Sequence, residues 1–201
     1  MELAEAIRRR RMVRSFSGAP PPPELLDALL GSALRAPSAG NSQGWDAVVL
    51  EGPEQTGVYW EATTTPEWRQ GSPRWPGLRR APVVLTVFSN PGAYVARYGE
   101  PDKLQSGLGS SPDVWPVPYW DTDAAMGVMV LLLAAVDAGL GACFLGNFRG
   151  EDDLKEALAV PGDRRYFGAV LVGQPGGEDP PSSSASRPRR GLEEVFHRGR
   201  W

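Results

Sequence analysis

A chain of 201 residues is long enough for one full-sized core and short for two. Its 41% apolar and 22% charged residues are ordinary for a globular protein. One cysteine excludes an internal disulfide, and with a single histidine it leaves little for zinc sites or hydrolytic triads. Residues 1–18 carry five arginines against two glutamates and residues 187–201 repeat that balance. With a net charge of −3, the body between them stands at −9, which suits a local anion site better than a nucleic-acid surface.

Leu3, Ala6, Ile7 and Arg10 fall at helical spacing, so residues 2–11 read as a short amphipathic helix. Pro20 to Pro23 lead stiffly into a second helix, whose apolar face comprises Leu25, Leu26, Leu29, Leu30, Ala33 and Leu34 and which ends before Pro37. Ala47 to Leu50 and the β-branched run Pro82 to Phe88 read as strands. Asp121 or Thr122 caps a long apolar helix through Ala138, expected to be central and buried and stopped by Gly139 and Gly141. Ala142 to Leu145 is a short apolar run, Asp152 to Ala159 a surface helix, and Phe167 to Val172 another strand. Ala124 to Ala138 is shorter than a bilayer needs, and Met1 leads into charged residues rather than a secretory apolar run. A cytoplasmic protein without membrane partners is therefore expected.

Two aromatic-rich segments, 61–80 and 94–119, are either loops held by aromatic packing or walls of a pocket for a flat ligand, with Trp68, Trp75, Trp115 and Trp120 as candidate wall residues. Pro175 to Ser186 reads as an exposed linker. Arg187 to Trp201 is too poor in apolar residues to fold alone and is expected to drape over the body or a partner. Cys143 reads as a small buried hydrophobe, Trp45 as core and His197 as incidental.

Candidate chemistry concentrates in two places. Arg10, Arg11 and Arg14 cluster just past a helix, and guanidinium forks suit phosphate better than ammonium does. Pro37-Ser38-Ala39-Gly40-Asn41-Ser42-Gln43 is a turn of small and amide side chains in which Gly40 permits close approach or a positive φ. Together they suit a phosphorylated planar ligand, a mononucleotide such as FMN.

Arg10-Arg11-Met12-Val13-Arg14-Ser15-Phe16, Pro37-Ser38-Ala39-Gly40-Asn41-Ser42-Gln43-Gly44-Trp45, Ala135-Val136-Asp137-Ala138-Gly139-Leu140-Gly141 and Arg187-Pro188-Arg189 before Leu192-Glu193-Glu194 occur in the order and spacing of one family. In these motifs the chain resembles the nitroreductase family of FMN-dependent oxidoreductases from end to end. The resemblance implies a single α+β domain over residues 1–201, a three-layer sandwich with a mostly antiparallel central sheet. It also implies an intertwined homodimer in which residues 187–201 reach the partner.

By the same resemblance, Arg10, Arg11, Met12, Arg14, Leu145, Gly146, Arg187 and Arg189 would meet FMN from one chain, and Pro37, Ser38, Ala39, Gly40, Asn41 and Gln43 from the other. NAD(P)H would donate hydride to the flavin, and a small planar aromatic such as a nitroaromatic or quinone would accept the electrons in a ping-pong cycle. No catalytic side chain or metal is then required. Same-family oxidation of a biosynthetic intermediate, oxygen-dependent flavin fragmentation, and non-catalytic flavin or nucleotide binding remain alternatives. Met12 replaces the family's usual Ser, Gly44 its Pro, and Leu145 a carboxylate found in some members; Arg69, Gln70 or Arg74 are candidates for its amide and basic pair.

Overall fold

The computed structural model describes residues 1–70, 74–147 and 149–201. Its helices are α1 (Leu3–Arg9), α2 (Pro23–Ala33), α3 (Gly52–Thr63), α4 (Pro66–Gln70), α5 (Pro91–Tyr98), α6 (Tyr119–Asp137), α7 (Glu151–Ala157) and α8 (Leu192–Val195). Four strands, β1 (Trp45–Glu51), β2 (Val83–Ser89), β3 (Gly141–Leu145) and β4 (Arg165–Gly173), form an antiparallel sheet in the order β1-β2-β4-β3.

Strand alternation divides the apolar residues between two cores. Val83, Leu85, Val87, Val170 and Ala142 face Leu26, Leu29 and Ala33 of α2 and Ala124, Val128, Leu131 and Ala135 of α6. Val84, Ala169, Leu171 and Cys143 face the opposite way, toward Tyr59 and Trp60 of α3 and Leu154 of α7. Every residue of β2 is buried, because helices cover both faces of this inner strand. The layers are therefore α2/α6, sheet and α3/α7: a three-layer α+β sandwich, as expected. A third cluster of Tyr94, Trp115 and Trp120 packs beside it with Tyr98.

Helix α6 is long and apolar enough to cross a membrane, with mean hydropathy 1.4, yet it is the core helix of the α2/α6 layer, with Ala124 and Ala135 fully buried. It begins at Tyr119, so Asp121 is not its cap; the Asp121 carboxylate accepts the Ser89 hydroxyl at 2.6 Å. Helix α1 ends one residue before Arg10 and buries only Ala6, leaving Leu3 and Ile7 exposed, because it lies on the rim of the body rather than in it. Helices α3 and α5 occupy stretches whose Gly, Thr and β-branched content argues against helix. Burial overrides that propensity: Thr56, Tyr59, Trp60 and Thr63 line one face of α3, and Asn90 caps α5 by accepting from the Ala93 N–H.

Candidate functional site

The arginine segment is positioned by backbone pairing beyond α1. The Arg10 N–H closes the helix on the Ala6 carbonyl at 2.9 Å, and Val13 N–H donates to the Ala142 carbonyl at 2.9 Å. Val13 and Phe16 are buried, which fixes the segment against the start of β3. Met12, in place of the family's serine, packs against both cores and its thioether accepts the Phe144 N–H at 3.4 Å. Arg14 lays its guanidinium over the Trp75 ring, 4.8 Å from the centroid. Arg10 Nη1 is buried without a partner.

Beside this segment lies a cavity of about 540 Å³. Tyr59, Trp60, Trp68 and Trp75 form its aromatic wall, and Leu145, Gly146 and Asn147 line it where the chain leaves β3. Trp60 and Trp68 stack at 5.9 Å with 17° between their planes. Gly146 has open space where a Cβ would stand, so a flat ring can approach the backbone there. The Tyr59 hydroxyl donates to Asn147 Oδ1 at 2.9 Å, which turns the Asn147 amino group into an available donor, buried and unpartnered. Burial pushes the Tyr59 phenol up to about 12, so it stays protonated and keeps donating. Burial likewise moves the Cys143 thiol up to about 11 despite the nearby Arg14 charge, consistent with a packed residue and not a nucleophile.

Of the three candidates for an amide and basic pair, only Arg74 reaches the cavity wall. Arg69 instead donates to the carbonyls of Trp60 and Thr64, closing the end of α3, and Gln70 is exposed. Trp68 and Trp75 are wall residues as expected. Trp115 and Trp120 are not; they are buried in the separate cluster around Tyr94. Within the 61–80 segment, residues 71–73 lie outside the described residues.

The amide-rich loop is built as a rigid turn. Gly40, Asn41 and Gln43 have φ of 61°, 55° and 50°, left-handed residues broken only by right-handed Ser42, and so many in one loop need external bracing. Ser38 Oγ accepts the Gln43 N–H at 2.9 Å, and Arg97 Nε donates to the Gly40 carbonyl at 2.8 Å. A Cβ on Gly40 would stand 2.8 Å from the Tyr98 ring. Gly44, in place of the proline usual in the family, packs so close to Tyr94 that a Cβ there would require the buried ring to move.

The central brace is Asp123, only 2% exposed. Its Oδ2 accepts the Ala39 N–H at 2.8 Å and the Tyr94 hydroxyl at 2.7 Å. Burial, and then the bond to Asp123, pushes the Tyr94 phenol well above its ordinary range. The Ala39 amide, expected to face a ligand, is therefore already engaged.

These two assemblies sit at opposite ends of α6. Asp123 holds the loop near its start and Ala142 holds the arginine segment just past its end; from Asp123 to the last helical residue, Asp137, the axis rises roughly 21 Å. Arg187 and Arg189 are exposed. Arg11 Nη1 contacts Asp179 Oδ2 at 2.5 Å, and Asp179 Oδ1 accepts the Arg14 N–H at 3.2 Å. Asp123, Asn147, Trp60 and Asp179 are site-forming residues that local sequence does not reveal. Only Trp60 carries a signal, as part of the Thr56/Tyr59/Trp60/Thr63 helical stripe.

The molecule is thus a three-layer α+β sandwich with an arginine segment pinned to the start of β3 and an aromatic cavity on its α3 side. Residues 7–174 match the model of the nitroreductase family, and the chain belongs to that family. It is 30% identical over 183 residues to 5,6-dimethylbenzimidazole synthase of Rhodospirillum rubrum, covering 85% of this chain and 81% of the relative. It is 27% identical over 177 residues to an Archaeoglobus fulgidus protein provisionally named NADH dehydrogenase/NAD(P)H nitroreductase, covering 87% and 86%. A Desulfovibrio desulfuricans chain of the same fold, solved in complex with FMN, superposes with TM-score 0.69 at 23% identity over 98% of this chain and 95% of that one.

Proposed function

We propose that the protein is an FMN-dependent oxidoreductase that takes hydride from NADH or NADPH and reduces a small planar acceptor such as a nitroaromatic or quinone. The observation carrying this reading is an aromatic cavity lined by the open backbone of Gly146, with Arg14 laid over its wall residue Trp75, in a chain of this family. The residues fit the cofactor: the buried, unpartnered Arg10 Nη1 awaits an anion, and the unpartnered Asn147 amino group awaits an acceptor atom of a flat ring.

When bound, FMN supplies the two-electron redox chemistry that the side chains here lack. Arg10, Arg11 and Arg14 would hold the phosphate, and Asn147 and Arg74 would face the ring with donors and positive charge. Trp60, Trp68 and Trp75 would exclude water and offer flat surfaces to the nicotinamide or acceptor.

The loop at residues 37–43 completes the site from a second copy of the chain, since it is anchored near the start of α6 while its own arginine segment is anchored past the helix's end. Leu34, 75% exposed, and Met126 and Met129 of α6 leave an apolar face on the α2/α6 layer that suits such a homodimer. Leu192, Phe196 and Trp201 project apolar surface from the tail and suit an arm reaching the partner.

The deciding experiment is a visible spectrum of the purified protein before and after anaerobic NADPH and then NADH. A yellow protein that bleaches supports the reading, and a colourless one that refuses added FMN overturns it. Similarity to the dimethylbenzimidazole synthase favours a second reading, consumption of the flavin itself in an oxygen-dependent fragmentation. A bound flavin that neither nicotinamide reduces would move the assignment there.

A further inference from the structure

After β4 the chain does not leave the body. Ser17 N–H donates to the Gln174 carbonyl at 3.0 Å and Gly176 N–H to the Ser15 carbonyl at 2.7 Å, with a bridge between Phe16 and Pro175. Residues 174–176 thus run antiparallel to the segment that follows the arginine cluster. The strap continues across the cluster itself. Asp179 takes Arg11 Nη1 and the Arg14 N–H, Trp75 Nε1 donates to the Pro180 carbonyl at 3.2 Å, and Arg74 Nη1 reaches Ser183 Oγ at 3.4 Å. The Asp179 side chain is only 10% exposed, whereas its partner Arg11 is 60% exposed. A largely shielded carboxylate therefore already occupies donors of the cationic segment, Arg11 Nη1 and the Arg14 N–H.

We infer that Asp179 is a specificity-determining residue of the flavin site, an internal anion that a phosphorylated flavin must displace from Arg11 and the Arg14 amide. The inference rests on the FMN reading given above. Two physical facts support it. A carboxylate and a phosphate compete for the same guanidinium and N–H donors, and a dianion makes more charge-assisted bonds than a monoanion. A flavin without a phosphate offers no anion to exchange, so it leaves the Arg11–Asp179 pair intact.

The test is Asp179→Asn with both flavins, followed by fluorescence quenching. The variant is expected to bind FMN about tenfold more tightly while riboflavin affinity stays within about twofold of the parent. FMN affinity that is unchanged or lower in the variant would overturn the inference; a fall would make Asp179 a positioning residue for Arg11. Hydrogen exchange across residues 176–187 of the parent protein gives a second readout, independent of the substitution. FMN, or inorganic phosphate alone, should accelerate exchange there by freeing the strap, and protection would count against displacement. If the parent binds neither flavin, the FMN reading itself fails, a result distinct from FMN binding that ignores Asp179.

Discussion

Two aspartates, Asp123 near the start of α6 and Asp179 on the strap after β4, each hold a segment by accepting its donors, and the two are built differently. Asp123 is almost fully buried, its partners are a backbone amide and a buried tyrosine, and nothing soluble can replace it. Asp179 sits on a strap held by a few hydrogen bonds and pairs with an exposed arginine, so a stronger anion can take its place. One end keeps a strained loop in a single shape. The other holds its cations in readiness and can exchange what they bind.

The largest effect is expected from breaking the rigid end. Asp123→Ala leaves the Ala39 amide and the Tyr94 hydroxyl without an acceptor in a buried place, and should lower unfolding free energy by about 3 kcal/mol. Denaturant titration reads this directly, and a loss under about 1 kcal/mol would mean that water or another group takes over.

At the exchanging end, Arg14→Ala should weaken FMN binding by about 2 kcal/mol, since it removes a charged bond and the stack on Trp75. Normal flavin content in that variant would remove Arg14 from the site. The two ends can be tested against each other by co-expressing Arg14→Ala with Asn41→Ala. In a two-fold dimer with sites shared between chains, mixed dimers restore one intact site, so about a quarter of normal flavin content should return. No recovery would mean that one chain holds the whole site.

A smaller effect concerns pH. Tyr59, pushed up to about 12, and Tyr94 and Tyr166, raised chiefly by burial, keep their protons in the fold where the unfolded chain would release them near pH 10. Their contribution to stability is thus complete below pH 10 and is lost as pH rises toward 12. Ultraviolet titration should show these three phenols ionising only with unfolding; their ionisation in a folded protein would contradict the burial. The smallest effect belongs to Asp179→Ala, where an ion pair with a largely exposed arginine should change stability by under about 1 kcal/mol. Much larger destabilisation would make the strap structural and not exchangeable.

The sequence alone determined a good deal. Three strands, the short apolar run that becomes β3, the two helices of the α2/α6 layer and the arginine and amide segments are legible because apolar periodicity, proline placement and turn chemistry act within a few residues. The left-handed Gly40 belongs to the same local class. Only tertiary structure decided the rest, because the partners come from far along the chain. It made helices of 52–63 and 91–98 by burying residues whose propensity argues otherwise, assigned Trp115 and Trp120 to a packed cluster while Trp68 and Trp75 became cavity wall, and brought Asp123 to Ala39 and Asp179 to Arg11. A carboxylate's role depends on which donors face it and how much water remains, and neither is written in its immediate neighbours.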